Sequence, residues 1–177
     1  RSENKLGTEA IDAFTRGSDA SVHLGPRVTA DNLNGVLAHE LTHVVIRQKF
    51  HASVPPWLEE GLANHISQKV AQRTGGPGRG AVDYLWLSRQ TPEPARSLAH
   101  PFGADKVRSM DRLRYRYAAS TALAEMIAGK CDLFDLLQLS LGRTMEPYLK
   151  NTCVLDDLDG ALKTWIGRKS AAGQKRQ

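Results

Sequence analysis

Apolar residues at Leu33, Val36, Leu37, Leu41, Val44 and Val45 recur at spacings of 3, 1, 4, 3 and 1. Such spacing lays them along one face of a helix. Asp31 and Asn32 stand just before the series as N-cap candidates, and the pattern predicts a helix over residues 31–48. Pro55-Pro56 restarts the chain after a connector, and proline suits a helix's first turn. Trp57, Leu58, Leu62, Ile66 and Val70 then mark a second helix to residue 73. Residues 74–80 (TGGPGRG) read as a flexible loop and residues 81–88 as a short helix. Residues 91–104, with three prolines, read as an irregular connection. A long helix is expected over 107–128, ended by Gly129-Lys130. Shorter helices follow over 132–141 and 146–151, and Leu155, Leu158, Leu162, Trp165 and Ile166 mark the last. Residues 1–20 are polar and weakly patterned. Ser21–Leu24 is a short strand candidate stopped by Gly25-Pro26. The chain therefore reads as mainly helical with few strands.

Composition narrows this picture only a little. The 177 residues suit one domain with an ordinary balance, 41% hydrophobic and 24% charged, which excludes a disordered or collagen-like chain. No apolar run reaches the roughly 18 residues that span a bilayer, and no signal peptide is visible. A chain opening on Arg1 is expected to be a mature form or an excised domain. The net charge of +5 permits acidic partners without demanding them. Part of it sits in residues 169–177, expected to be a frayed basic tail. Arg108, Arg112, Arg114 and Arg116, interleaved with Tyr115 and Tyr117, form a basic cluster. No nucleic-acid-binding signature accompanies it, so it reads as solvated charge beside a cleft, favouring acidic substrates. Cys131 and Cys153 form no CxxC motif; a disulfide between neighbouring helices and a pair of buried thiols remain open alternatives.

The chemistry is concentrated on the first helix. His39-Glu40-Leu41-Thr42-His43 is an HExxH motif. Positions i and i+4 share a helix face, so two imidazoles there reach one zinc ion from one side. Glu40 is placed to take a proton from a water at the metal. With six His and eight Glu in the chain, chance would produce about 0.01 such motifs. The apolar neighbours Val36, Leu37, Val44 and Val45 are expected to bury the helix.

A catalytic zinc commonly takes three protein ligands and leaves one position open. Glu60, 17 positions after His43 on the second helix, is the best third ligand. Glu59 points about 100° away around that helix. His65 and His51 are the runners-up.

HELTH followed by PPWLEEGLANHIS resembles the gluzincin metallopeptidases, in particular the peptidase MA-like group related to the aminopeptidase N catalytic domain. In that group the Glu before Gly in a W-L-x-E-G-hydrophobic-A segment is the third ligand. Glu60 occupies that place, with Trp57, Leu58, Gly61, Leu62 and Ala63 matching. Tyr117-Ala118-Ala119-Ser120 is similar to the group's Y-x-x-S/G helix, whose Tyr steadies the oxyanion. The resemblance implies that role for Tyr117, with Tyr115 as the fallback. Asn64 stands where related zincins often carry an acidic residue that orients a ligand His. Ser21–Leu24 stands where the family has a substrate-pairing edge strand. No G-x-M-E-N segment precedes the motif, which disfavours an aminopeptidase.

The resemblance thus implies an α+β, zincin-like, mostly helical fold of one domain over residues 1–168. Its metal-site half is 20–80, with a small N-terminal sheet beside the HExxH helix, and 81–168 form a helical C-terminal subdomain. The implied function is a zinc-dependent peptidase, endopeptidase favoured, acting on a peptide or protein substrate. His39, His43 and Glu60 would hold Zn²⁺, and Glu40 and Tyr117 would be catalytic. Neither nucleic acid nor a transmembrane segment is expected. Peptidases of this type are often exported, so a secreted or periplasmic setting is favoured. The alternative is a non-catalytic zincin scaffold that binds a peptide or protein partner.

Overall fold

The computed structural model describes residues 13–16, 21–50, 54–99, 110–142 and 145–174. Strands β1 (Ala13–Arg16) and β2 (Ser21–Leu24) pair antiparallel, with Ala13 opposite Leu24 and Arg16 opposite Ser21. Phe14 stacks on His23 across the pair, ring centroids 4.7 Å apart. These two strands form the only sheet among the described residues, and it packs beside the first helix.

That helix, α1 (Leu33–Phe50), begins two residues later than the spacing predicts and runs two residues further. Asn32 organises the turn before the helix instead of capping it. Its Oδ1 accepts from Thr29 N–H at 2.8 Å and its Nδ2 donates to Arg27 O at 3.0 Å. Phe50, 5% exposed, extends the far end because its ring is wanted in the core. The expected burial of α1 is corrected in one respect. Leu41 and Val45 are about half exposed, and the inward face carries Val36, His39, Glu40, His43 and Ile46. Apolar residues ring this helix, so spacing alone does not identify the buried side.

α2 (Pro56–Thr74) is the central element, packed on both α1 and α4 (Met110–Ala128). Pro56 sits in its first turn, where no intrahelical N–H is lost. Gly75 closes it in the left-handed conformation, φ 82°, donating its N–H to Ala71 O at 2.9 Å. Gly61 sets the α2–α4 distance. A Cβ there would lie 2.4 Å from Ala124 Cβ and 2.8 Å from Ser120 O. The small residues of α4 at this crossing are therefore packing positions, Ser120 included.

The remaining helices build the second wall of the core. α3 (Tyr84–Ser88) is capped by Asp83, whose side chain accepts from Trp86 N–H. The proline-rich connection contains a 3-10 turn over Ala95–Ala99. Residues 100–109, including Arg108, lie outside the described residues. α5 (Leu133–Leu139) is capped by Asp132, continues into a 3-10 turn over Ser140–Gly142, and is followed by α6 (Met145–Asn151). α7 (Leu158–Gln174) extends well into the stretch expected to fray. Lys169 lies over the Trp165 ring at 4.7 Å, and Ser170 Oγ is 3.3 Å from Ser88 Oγ. The apolar centre is made by Leu58, Leu62, Leu98, Leu123, Ile127 and Leu136, each 1% exposed or less. Cys131 and Cys153 form a disulfide, tying the turn after α4 to the end of α6. Closing a loop of that length restricts the unfolded chain by about 3 kcal/mol.

The chain is thus mostly helical with a small two-stranded antiparallel sheet. No helix among the described residues is long and apolar enough to cross a membrane.

Candidate metal centre

α1 brings His39 and His43 to one face, one turn apart, as their i, i+4 spacing requires. Both are 5% exposed. Their Nε2 atoms lie 3.1 Å from each other. α2 folds back so that the Glu60 carboxylate meets the same point, with Oε2 3.8 Å from His39 Nε2 and Oε1 3.6 Å from His43 Nε2. One donor atom from each of the three lies within 4.8 Å of the others, so this group could hold a metal ion.

The electrostatics fit that use. Burial, together with the charges of His43 and Arg79, drives the His39 pKa down to about 3, against a smaller upward pull from Asn64. His39 is therefore neutral across ordinary pH. Burial also pulls His43 down, but its hydrogen bond to Glu59 and the charges of Glu60, Glu59 and Glu40 outweigh it, and its pKa is raised. Of the two rings, His43 is the one disposed to hold a proton in the metal-free protein. A cation would take that proton's place. Burial raises the Glu60 pKa, with Glu59 and Glu40 adding to the effect and His43 and Arg79 opposing it. A carboxylate so under-compensated gains from a divalent ion beside it.

Glu59 does not bind at the centre, but it is not idle. Its Oε1 accepts from His43 Nδ1 at 2.8 Å and from Arg47 Nε at 3.2 Å. Burial raises its pKa, yet His43 and Arg47 more than reverse this, and the net shift is downward. A carboxylate on Nδ1 fixes the ring and turns Nε2 toward the metal position. Sequence reading passed over this role; two adjacent Glu facing an HExxH helix were the available signal. Asn64 donates Nδ2–H to Thr121 Oγ1 at 2.7 Å, holding α2 to α4 beside His39. His39 Nδ1 is buried with no hydrogen-bond partner of full geometry among the described residues.

Glu40 is 3% exposed and its Oε1 accepts from Arg79 Nη1 at 2.7 Å. Arg79 comes from the glycine-rich segment expected to be flexible, and that segment is strapped down. Ser67 Oγ donates to Gly35 O at 2.7 Å and accepts from Arg79 N–H at 2.8 Å; Gln68 Nε2 donates to Gly80 O at 3.2 Å. Gly80 adopts φ 72°, and a Cβ there would lie 2.1 Å from the Asn64 amide carbon. The glycines serve close approach, and the strap delivers one guanidinium to the site. No pattern in the sequence paired Arg79 with Glu40.

A cavity of about 870 Å³ opens onto these groups. Arg114, Tyr117, Ala118 and Thr121 of α4 form one side, again at helical spacing, and Ala13, Phe14 and Arg27 contribute from the hairpin region. Tyr117 is 40% exposed in this cavity. Partial burial and the Glu60 charge push its hydroxyl up to about 12, so it is a neutral donor at pH 7. Tyr115 lies elsewhere: its hydroxyl accepts from Glu93 N–H at 2.9 Å. His65 lines a separate cavity with Lys69 and Gly129 and takes no part in the His–His–Glu group. His51 lies outside the described residues.

The basic cluster is corrected in its composition. Arg116 is 1% exposed and donates to Ser97 O, and Arg112 pairs with Glu93 at 2.8 Å. Arg114 alone of the four lines the cavity among the described residues. No protein-family model, curated protein or solved structure matches this chain.

Proposed function

We propose that the protein is a zinc-dependent peptidase of gluzincin type with a zincin-like fold. The observation that carries this reading is the meeting of His39 Nε2, His43 Nε2 and the Glu60 carboxylate at separations of 3.1, 3.6 and 3.8 Å. Zinc bonds of about 2.1 Å in tetrahedral array place donors about 3.4 Å apart; the two Nε2 atoms stand close to that spacing, and the Glu60 carboxylate presents one oxygen to each of them. Two His, one Glu and an open cavity are also the donor set of a catalytic rather than a structural zinc.

When bound, zinc would supply Lewis-acid polarisation of the scissile carbonyl and acidification of the attacking water. Glu40, buried beside the donor triangle, takes the water's proton and passes it to the leaving amine. Tyr117 donates to the developing oxyanion from the α4 side. Glu59 keeps the His43 ring oriented. No G-x-M-E-N segment precedes the motif, which disfavours an aminopeptidase, so an endopeptidase is favoured. The disulfide accords with an oxidising, exported setting.

A second reading, a non-catalytic scaffold that binds a peptide or protein partner, draws on the Arg79–Glu40 pair, which occupies the base. Metal content by mass spectrometry, wild type beside Glu60→Ala, tests the site. About one zinc per chain is expected, lost or sharply weakened in the variant. Peptide-library cleavage then separates the two readings. Turnover abolished by Glu40→Gln with zinc retained supports the peptidase; a zinc-loaded wild type that cleaves nothing overturns it.

A further inference from the structure

Four arginines and three carboxylates line the cavity at the metal centre: Arg27, Arg47, Arg79 and Arg114 against Glu40, Glu60 and Asp83. A divalent ion at the His–His–Glu group would add to the positive charge of that lining. The arginines are not equally engaged. Arg47 is held by Glu59 at 3.2 Å and Arg79 by Glu40 at 2.7 Å. Arg114 has only a 4.0 Å contact with Asp83, both side chains more than half exposed, and stacks over Trp86 at 4.1 Å. An exposed pair at that distance is weak. The Arg27 guanidinium has no ion pair or hydrogen bond among the described residues.

Placement adds to charge. Arg114 precedes Tyr117 by one turn on the same face of α4, so it flanks the group that would meet the oxyanion. Arg27 follows β2 on the hairpin side of the same cavity. Arg79 lies within electrostatic reach of His39, Glu60 and Tyr117. Guanidinium groups bind carboxylates with paired, directional hydrogen bonds, and both Arg27 and Arg114 are exposed where an incoming chain can reach them.

We infer that this cleft selects acidic peptides, with Arg27 and Arg114 reading carboxylate side chains on residues flanking the bond held at the metal centre. The inference rests on the peptidase reading for the word substrate, but recognition is measurable without turnover.

The test uses the zinc-loaded full chain and two peptides identical except that Glu residues flanking the central bond become Gln. Versions with an N-methylated central bond report binding alone by calorimetry, and plain versions report cleavage. At about 50 mM salt the Glu peptide is expected to bind at least about tenfold more tightly, an advantage that shrinks as salt rises. In the Arg27→Gln/Arg114→Gln variant, shown to be folded by circular dichroism, the Glu-to-Gln ratio is expected to fall close to one. Equal binding of the two peptides by the wild type overturns the inference. So does a ratio unchanged in the variant, or displacement of the peptide by a single-stranded oligonucleotide at comparable concentration. A Glu preference in binding without any cleavage supports this inference and defeats the peptidase reading. Cleavage of both plain peptides at equal efficiency does the reverse.

Discussion

α1 and α4 both pack on α2, and what they bury differs in chemistry. Most of what α4 buries is alkyl: Ala119, Ala122, Leu123, Met126 and Ile127 are all 2% exposed or less, with Arg116, Ser120 and Thr121 as its buried polar residues. The inward face of α1 carries His39, Glu40 and His43, while Leu41 and Val45 face outward. α4 is held by burial, worth about 25 cal/mol per Å² of apolar surface. α1 gives up part of that return to place three ionisable groups where each must find a partner. Glu40 finds Arg79, His43 finds Glu59, and His39 meets His43 and Glu60. A helix that buries polar groups while exposing apolar ones is organised around a site, since stability alone would rotate it the other way.

The sharpest way to break this contrast is to change each face separately. Glu40→Gln on α1 should lower turnover by about 10³-fold, within the range for loss of a general base. Its melting temperature should stay near that of the wild type, because the amide still accepts from Arg79. Steady-state kinetics beside a thermal melt would show it; comparable activity in a zinc-loaded variant would remove Glu40 from the mechanism. Leu123→Ala on α4 should do the opposite. A fully buried Leu replaced by Ala costs about 2–5 kcal/mol, read by urea unfolding, while zinc stoichiometry at 10–15 °C below the new midpoint stays at about one. A loss of metal in folded Leu123→Ala would mean that the two faces are not separable.

Two smaller effects lie at the edge of the site. Tyr117→Phe should lower kcat by about 10²-fold with KM little changed, as expected for a donor that acts only on the oxyanion. A change confined to KM would make Tyr117 a binding residue. Glu59→Gln should weaken zinc binding by about 10–100-fold, the usual range for losing a carboxylate behind a ligand His. Competition with a chelator of known affinity measures it, and an unchanged affinity would show that Glu59 is only an ion-pair partner for Arg47.

The contrast also explains what could be read from sequence. Near α4, α5 and α7, alkyl spacing and caps such as Asp132 report burial directly, and the elements lie close to where they were expected. The HExxH spacing and the Glu60 position were legible because a helix converts i, i+4 into a shared face. The buried side of α1 was not legible, since burial there follows polar partners supplied by α2 and the strap. Residues 74–80 looked flexible because glycine permits both freedom and close approach, and only the neighbouring backbone decides between them. Arg79 and Glu59 act through contacts with distant residues, and Arg116 sits buried against Ser97 O; a single sequence carries no mark of such pairs. α7 runs through Lys169 because cation–π contact with Trp165 holds its last turns.

The smallest effect tests the polar face most directly. In the metal-free protein the His39 pKa is about 3 and that of His43 is above its ordinary 6.5. Of the pair, then, His43 is the proton holder, its Nε2 3.1 Å from His39 Nε2. A metal needs both Nε2 lone pairs and must displace that proton. Below the His43 pKa, apparent affinity should fall about tenfold for each unit of falling pH; above it, affinity should level off. The same shifts set opposite slopes for metal-free stability. The His43 contribution is present below 6.5 and lost as pH rises through its raised value; stability tied to neutral His39 is lost as pH falls from 6.5 toward about 3. Calorimetric titration with zinc in two buffers of different ionisation enthalpy counts the protons. About one should be released at pH near 6, and fewer as pH rises through the raised His43 value. Glu59→Gln, by removing a negative charge that helps raise His43, should lower the count at pH near 6. Release of two protons would mean that His39 is also charged in the metal-free state, and the buried face of α1 would then hold more charge than its partners can balance.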